Sequence, residues 1–290
     1  MSVRVGHIEF LNCYPLYHGL RRRAEAGVAE AADFELISGV PTDLNRMLVS
    51  GTIDFGPISS IAYARNHRHL ALSPRLSISS RGAVDSIQLV TRAPIEDISA
   101  VALTPKSATS VALLKTILKL RYGSDVEYVE LRVPPEQALD EVGAVLLIGD
   151  EGLEAMYFPF SNARRYDLGQ VWQDWTGLPM VYAVWAARRE FVHDHTRALF
   201  SVEKELVSSM GVGRERADEV VDAAAGLSRF GRDCLERYFR VLHYGFEPEY
   251  QTGLRRYYEL AHEAGELFEL AELRFLDEFG GPEEAGQVPA

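Results

Sequence analysis

Up to about residue 187, short apolar runs alternate with stretches of helical periodicity, and this alternation limits the possible folds more than any other feature. Residues 3–8, 34–37, 52–58, 76–80, 85–92, 101–103, 126–131, 144–148 and 180–187 read as strands. Most are separated by helical patterns, the arrangement of βα units in parallel α/β sheets. Residues 144–148 are five apolar residues in a row, a strand buried on both faces.

The texture changes after Arg189. From about His195 to Phe279 only helical periods appear, over residues 196–210, 214–225, 231–242 and 249–278. So many strands in so short a chain predict two small sheets, with residues 85–92 and 180–187 as the crossings. The expected plan is two-lobed. Residues 1–90 with 188–290, the helical C-terminal end included, form lobe 1, and residues 91–187 form lobe 2. A ligand cleft lies between them, because domain interfaces are favoured places for small-molecule sites. The Gly-, Pro- and Glu-containing stretch 280–290 is expected to fray.

Net charge is −12 and no basic stripe stands out, which argues against nucleic acid as a partner. An anionic ligand would therefore need a local positive field. No run of about 18 apolar residues is present, so no membrane span is expected. The chain enters its first strand without a signal-like segment, and Cys13 and Cys234 lie far apart. Both features predict a cytoplasmic protein without a structural disulfide. His193, His195, His243 and His262 lack metal-ligand spacing. No glycine-rich nucleotide fingerprint, P-loop or nucleophile elbow occurs, so neither cofactor nor metal is expected.

Two corners carry candidate chemistry. In residues 101–120 a short strand gives way to a helix whose start is crowded by Ser107, Thr109 and Ser110. A second strand ends in Ser59 and Ser60 before a helical IAYAR. Helix starts leave backbone N–H groups unpaired and carry positive partial charge, so hydroxyl-rich starts suit a carboxylate or phosphate. The same residues also fit plain N-caps. Asn12 lies just beyond a strand's carboxyl end, the edge where open α/β sheets bind ligands, although a turn residue reads the same way. Asp150 is read as a cap of the next helix and Trp172 with Trp175 as core.

The motifs FLNCYPL, GVPTDLNRMLVSGTIDFGPISSIAYA, LTPKSATSVALLK, LLIGDE and WTGLPMVYAVWAAR resemble, in order, those of chorismate dehydratase of the futalosine route to menaquinone. The resemblance runs from residue 3 to about 189. It implies the fold of type II periplasmic binding proteins, used as a cytoplasmic carbon–oxygen lyase. The reaction implied is loss of water from chorismate to give 3-[(1-carboxyvinyl)oxy]benzoate. The similar 1,4-dihydroxy-6-naphthoate synthase family places a histidine base directly after the strand at 144–148. Here that position is Gly149, which favours the dehydratase. A non-catalytic small-acid binding protein is the reading from another class. Carried onto this chain, the expectation makes Asn12 catalytic. Ser59, Ser60, Ser86, Thr109, Ser110 and Gly149 bind the dianion, with the base a substrate carboxylate or water.

Overall fold

A computed structural model describes residues 2–28 and 33–279. The stretch 280–290, expected to fray, lies outside the described residues. The first sheet has strand order β11-β4-β10-β3-β1-β2, from β1 (Val3–His7), β2 (Phe34–Ser38), β3 (Phe55–Ser59), β4 (Leu70–Ser80), β10 (Met180–Arg188) and β11 (Leu242–His243). The second has order β7-β6-β8-β5-β9, from β5 (Ile87–Thr91), β6 (Ala100–Leu103), β7 (Glu127–Glu130), β8 (Ala144–Ile148) and β9 (Arg164–Asp167). As expected from its apolar run, β8 is buried along its whole length.

Neither sheet is purely parallel. The pairs β1–β2, β1–β3, β6–β7 and β6–β8 are parallel, but β10 runs antiparallel to β3 and β4, and β5 antiparallel to β8 and β9. The chain passes between sheets on these strands, and a crossing strand need not share the direction of the βα units it joins. Two strands fall across the expected boundaries. β5 opens the second sheet, and β10 lies inside the first rather than closing the second.

The helices cover the sheet faces. They are α1 (Tyr14–Glu25), α2 (Pro41–Ser50), α3 (Ser60–Asn66), α4 (Ala108–Leu120), α5 (Pro135–Val142), α6 (Gly149–Tyr157) and α7 (Leu168–Thr176). The C-terminal part adds α8 (Arg189–Glu215), α9 (Ala217–Leu227), α10 (Arg232–Val241) and α11 (Pro248–Ala264). The helical period from 196 begins earlier than expected, at Arg189, with non-helical backbone at His195. The last helix is shorter than its pattern. Gly265 adopts φ 88° and ends α11, and among the described residues the one helical piece that follows is a 3₁₀ turn at Leu276–Glu278. Trp172 is fully buried, edge-on to Trp175 and Tyr257, and its indole donates to the Pro179 carbonyl at 3.2 Å.

Candidate active site

A narrow cleft of about 50 Å³ opens where the two sheets meet. Asn12, Pro41, Ser59, Ser86, Ser107, Ser110, Gly149 and Tyr182 line it, with apolar walls from Ile8, Phe10, Ile148 and Leu242 among others. No charged side chain lines it among the described residues. Helices α2, α4 and α6 begin at Pro41, Ala108 and Gly149, so their positive ends converge there. A dianion therefore meets oriented dipoles and hydroxyls rather than a cation, in a molecule of net charge −12.

Asn12 sits in a one-turn 3₁₀ helix, Leu11–Cys13, between β1 and α1. Its Oδ1 is buried and has no hydrogen-bond partner among the described residues. A buried polar atom left unpaired costs about 1–3 kcal/mol, so such an atom on a cleft wall is poised for a ligand. The turn is held from the opposite sheet. The carboxylate of Asp150 accepts from the Leu11 amide at 3.2 Å. Asp150, expected to cap its own helix, is instead a latch between the two sheets. Burial raises its pKa, while the Leu11 N–H opposes that shift.

Ser86 is held by the crossing that precedes β5. Asp85 beside it adopts φ 61°, a left-handed conformation rare outside glycine. Its fully buried carboxylate is gripped by Arg237 through Nε at 2.8 Å and Nη2 at 3.0 Å. Its amide donates to Asp167 at 2.7 Å. A Cβ built at Gly152 would stand 2.1 Å from the Ser86 carbonyl oxygen, so only glycine lets α6 lie against that strand. The Tyr238 phenol lies beside Ser86. Burial pushes its pKa well up, and the serine hydroxyl opposes that shift.

The serine–threonine corners divide. Ser59 faces the cleft, oriented by Asn45, whose Oδ1 accepts from the Ser59 amide at 2.9 Å and whose Nδ2 donates to its hydroxyl at 3.2 Å. Ser110 also faces it, with its hydroxyl 2.9 Å from that of Ser107. Ser60 and Thr109 do not line it. Their hydroxyls lie 3.2 Å apart in the core, where Ser60 donates to the Val181 carbonyl at 2.8 Å and Thr109 accepts from the Ile61 amide at 3.2 Å. From α11, Tyr257 donates to the Thr109 carbonyl at 3.2 Å and Tyr258 to the Ser60 carbonyl at 2.7 Å. The expected cradle of free helix amides is therefore corrected. The amides of Ser59, Ile61 and Ser110 already donate to Asn45, Thr109 and Ser107.

A family described as menaquinone biosynthesis matches residues 3–263. The chain belongs to this menaquinone-biosynthesis family. A chorismate dehydratase of Thermus thermophilus is 32% identical over 269 residues, which cover 88% of this chain and 93% of that protein. Among solved structures, a protein of Archaeoglobus fulgidus superposes with a TM-score of 0.73 at 21% identity, covering 92% of this chain and 98% of its own. An alkanesulfonate-binding protein from Xanthomonas axonopodis pv. citri, bound to MOPS, superposes with a TM-score of 0.68 at 14% identity, covering 94% and 96%. The fold is thus periplasmic-binding-protein-like, as the sequence motifs implied. In this member of the menaquinone-biosynthesis family, Asn12, Ser59, Ser86, Ser110 and Gly149 meet in one cleft. Sequence reasoning did not place Phe10, Asn45, Tyr182 or Tyr238 at or beside it. Tyr182 is one of several apolar residues in a strand buried throughout most of its length, and nothing local distinguishes it.

Proposed function

We propose that this chain is a chorismate dehydratase, a carbon–oxygen lyase that removes water from chorismate to give 3-[(1-carboxyvinyl)oxy]benzoate. The observation that carries the reading is the Asn12 Oδ1, unpartnered among the described residues, in a cleft walled by hydroxyls and lined by no charged side chain among them. Family membership and the Thermus thermophilus relative support it. Chorismate brings two carboxylates. Ser59, Ser86, Ser107 and Ser110 supply hydroxyl donors for them, and the converging helix starts supply the field. Asn12 hydrogen-bonds the ring hydroxyl that departs. Either orientation of its amide places a hydrogen-bonding atom there.

The reaction removes the proton from the ring carbon that bears the enolpyruvyl ether, and the neighbouring hydroxyl leaves as water. The ring becomes aromatic, so the protein's task is to bind, orient and exclude solvent. Among the described residues no charged side chain lines the cleft, and burial pushes the pKa of its tyrosine, Tyr182, well up, which favours a substrate carboxylate or water as the proton acceptor. Ligand sites usually measure about 300–1,000 Å³, so a cleft of about 50 Å³ corresponds to closed lobes that part to admit chorismate. The division into two lobes is part of the same proposal. Turnover of the wild type and of Asn12→Ala, followed by chromatography, tests it. Losing one well-placed hydrogen-bonding group typically costs on the order of 10²–10³ in rate. Equal turnover in the two proteins removes Asn12 from the mechanism.

A further inference from the structure

A larger cavity, about 330 Å³, lies outside the cleft, between the end of α8, α9, α10 and β11. It falls in the range of sites for small organic ligands. Ala217, Val221, Phe239, Leu242 and Tyr244 form an apolar wall, and Arg214 stands on its rim. Arg214 is exposed and makes no hydrogen bond or ion pair with any described residue. Its charge reaches Glu247 and Tyr244 only at longer range. The other charged groups of the lining are engaged. Asp218 pairs with Arg232, Glu236 with Arg240, and His243 with Glu247. The cavity therefore offers a broad apolar surface with one uncommitted guanidinium at its edge. Such a surface matches a flat hydrocarbon body, and a guanidinium matches a carboxylate bidentately.

We propose that this cavity is a second binding site, for an aryl carboxylate, distinct from the cleft. Leu242 lines both cavities, so one side chain forms part of the wall between them. β11 also pairs with β4 at Ser79 and Ser80, and Ser80 Oγ lies 2.9 Å from the cleft tyrosine Tyr182. These contacts connect the wall of the cavity to the cleft.

The test titrates the full chain with 2-naphthoate by calorimetry and follows chorismate turnover in parallel. Arg214→Ala is expected to weaken 2-naphthoate binding at least tenfold. Ala217→Trp, which fills the cavity from an exposed position, is expected to abolish it. Both variants should keep wild-type melting temperatures and, without 2-naphthoate, wild-type turnover. Asn12→Ala should bind 2-naphthoate as the wild type does. Binding that survives Arg214→Ala and Ala217→Trp but is lost in Asn12→Ala places the ligand in the cleft and overturns the proposal. Absence of 2-naphthoate binding to the wild type overturns it equally. The calorimetric arm needs no turnover, so it separates failure of this site from failure of the dehydratase reading.

Discussion

At Gly149 the backbone turns to φ 59°, and a Cβ built there would stand 3.1 Å from the Phe10 ring across the cleft. Any side chain at this position is strained and presses on the opposite wall. Gly149→Ala is expected to cost about 1–2 kcal/mol of stability, the usual penalty for a left-handed residue other than glycine. It should also raise KM, because Phe10 is displaced into the space for substrate. Thermal melts and steady-state kinetics check both effects. Asp150 next to it predicts a split result. Its buried carboxyl has a raised pKa, so the fold disfavours the charged form above that pKa. Asp150→Asn removes the charge and keeps an oxygen for the Leu11 amide. The melting temperature should rise at pH 7, and the gain should shrink as pH falls and the wild-type carboxyl protonates. Turnover should stay within a few-fold, whereas catalysis by this carboxylate would instead make it collapse.

The elements show why half of each hydroxyl pair was misplaced from sequence. Ser59 ends β3 and Ser60 begins α3, and neighbouring residues at such a junction point in different directions. The same holds for Thr109 and Ser110, one residue apart on α4. Composition marks the corner as polar but not which hydroxyl faces the cleft. The Ser60 hydroxyl is drawn inward by the Val181 carbonyl and that of Thr109 by the Ile61 amide. Tyr257 and Tyr258, from α11 far along the chain where they read only as an apolar stripe, hold the backbone of the two corners. Each tyrosine hydroxyl donates to a backbone carbonyl in the first turn of a helix. Tyr257→Phe and Tyr258→Phe should each destabilise by about 1–2 kcal/mol in chemical denaturation, a buried hydrogen bond lost. The crossing before β5 is a second such element. Arg237→Ala leaves the fully buried Asp85 carboxylate unpaired. A loss of about 3 kcal/mol is expected, together with lower turnover because Asp85 holds Ser86 in place. Denaturation midpoints and kcat for the same variant test both parts.

Across the whole molecule, periodicity revealed the order of strands and helices because packing against a sheet face enforces it. Sheet membership was less legible. β10 reads as a strand from its apolar run, but only its pairing with β3 and β4 shows which sheet it joins. The cleft follows from that pairing. It gathers Asn12 and Ser59 from the first sheet and Ser86, Ser110 and Gly149 from the crossing and the second. The central claim is that this cleft, lined by no charged side chain among the described residues, eliminates water from chorismate. The most direct measurement is mass spectrometry of chorismate incubated with the purified chain. The account predicts conversion to a species lighter by one water. Chorismate bound and then recovered unchanged would contradict it and leave a binding protein in place of a lyase.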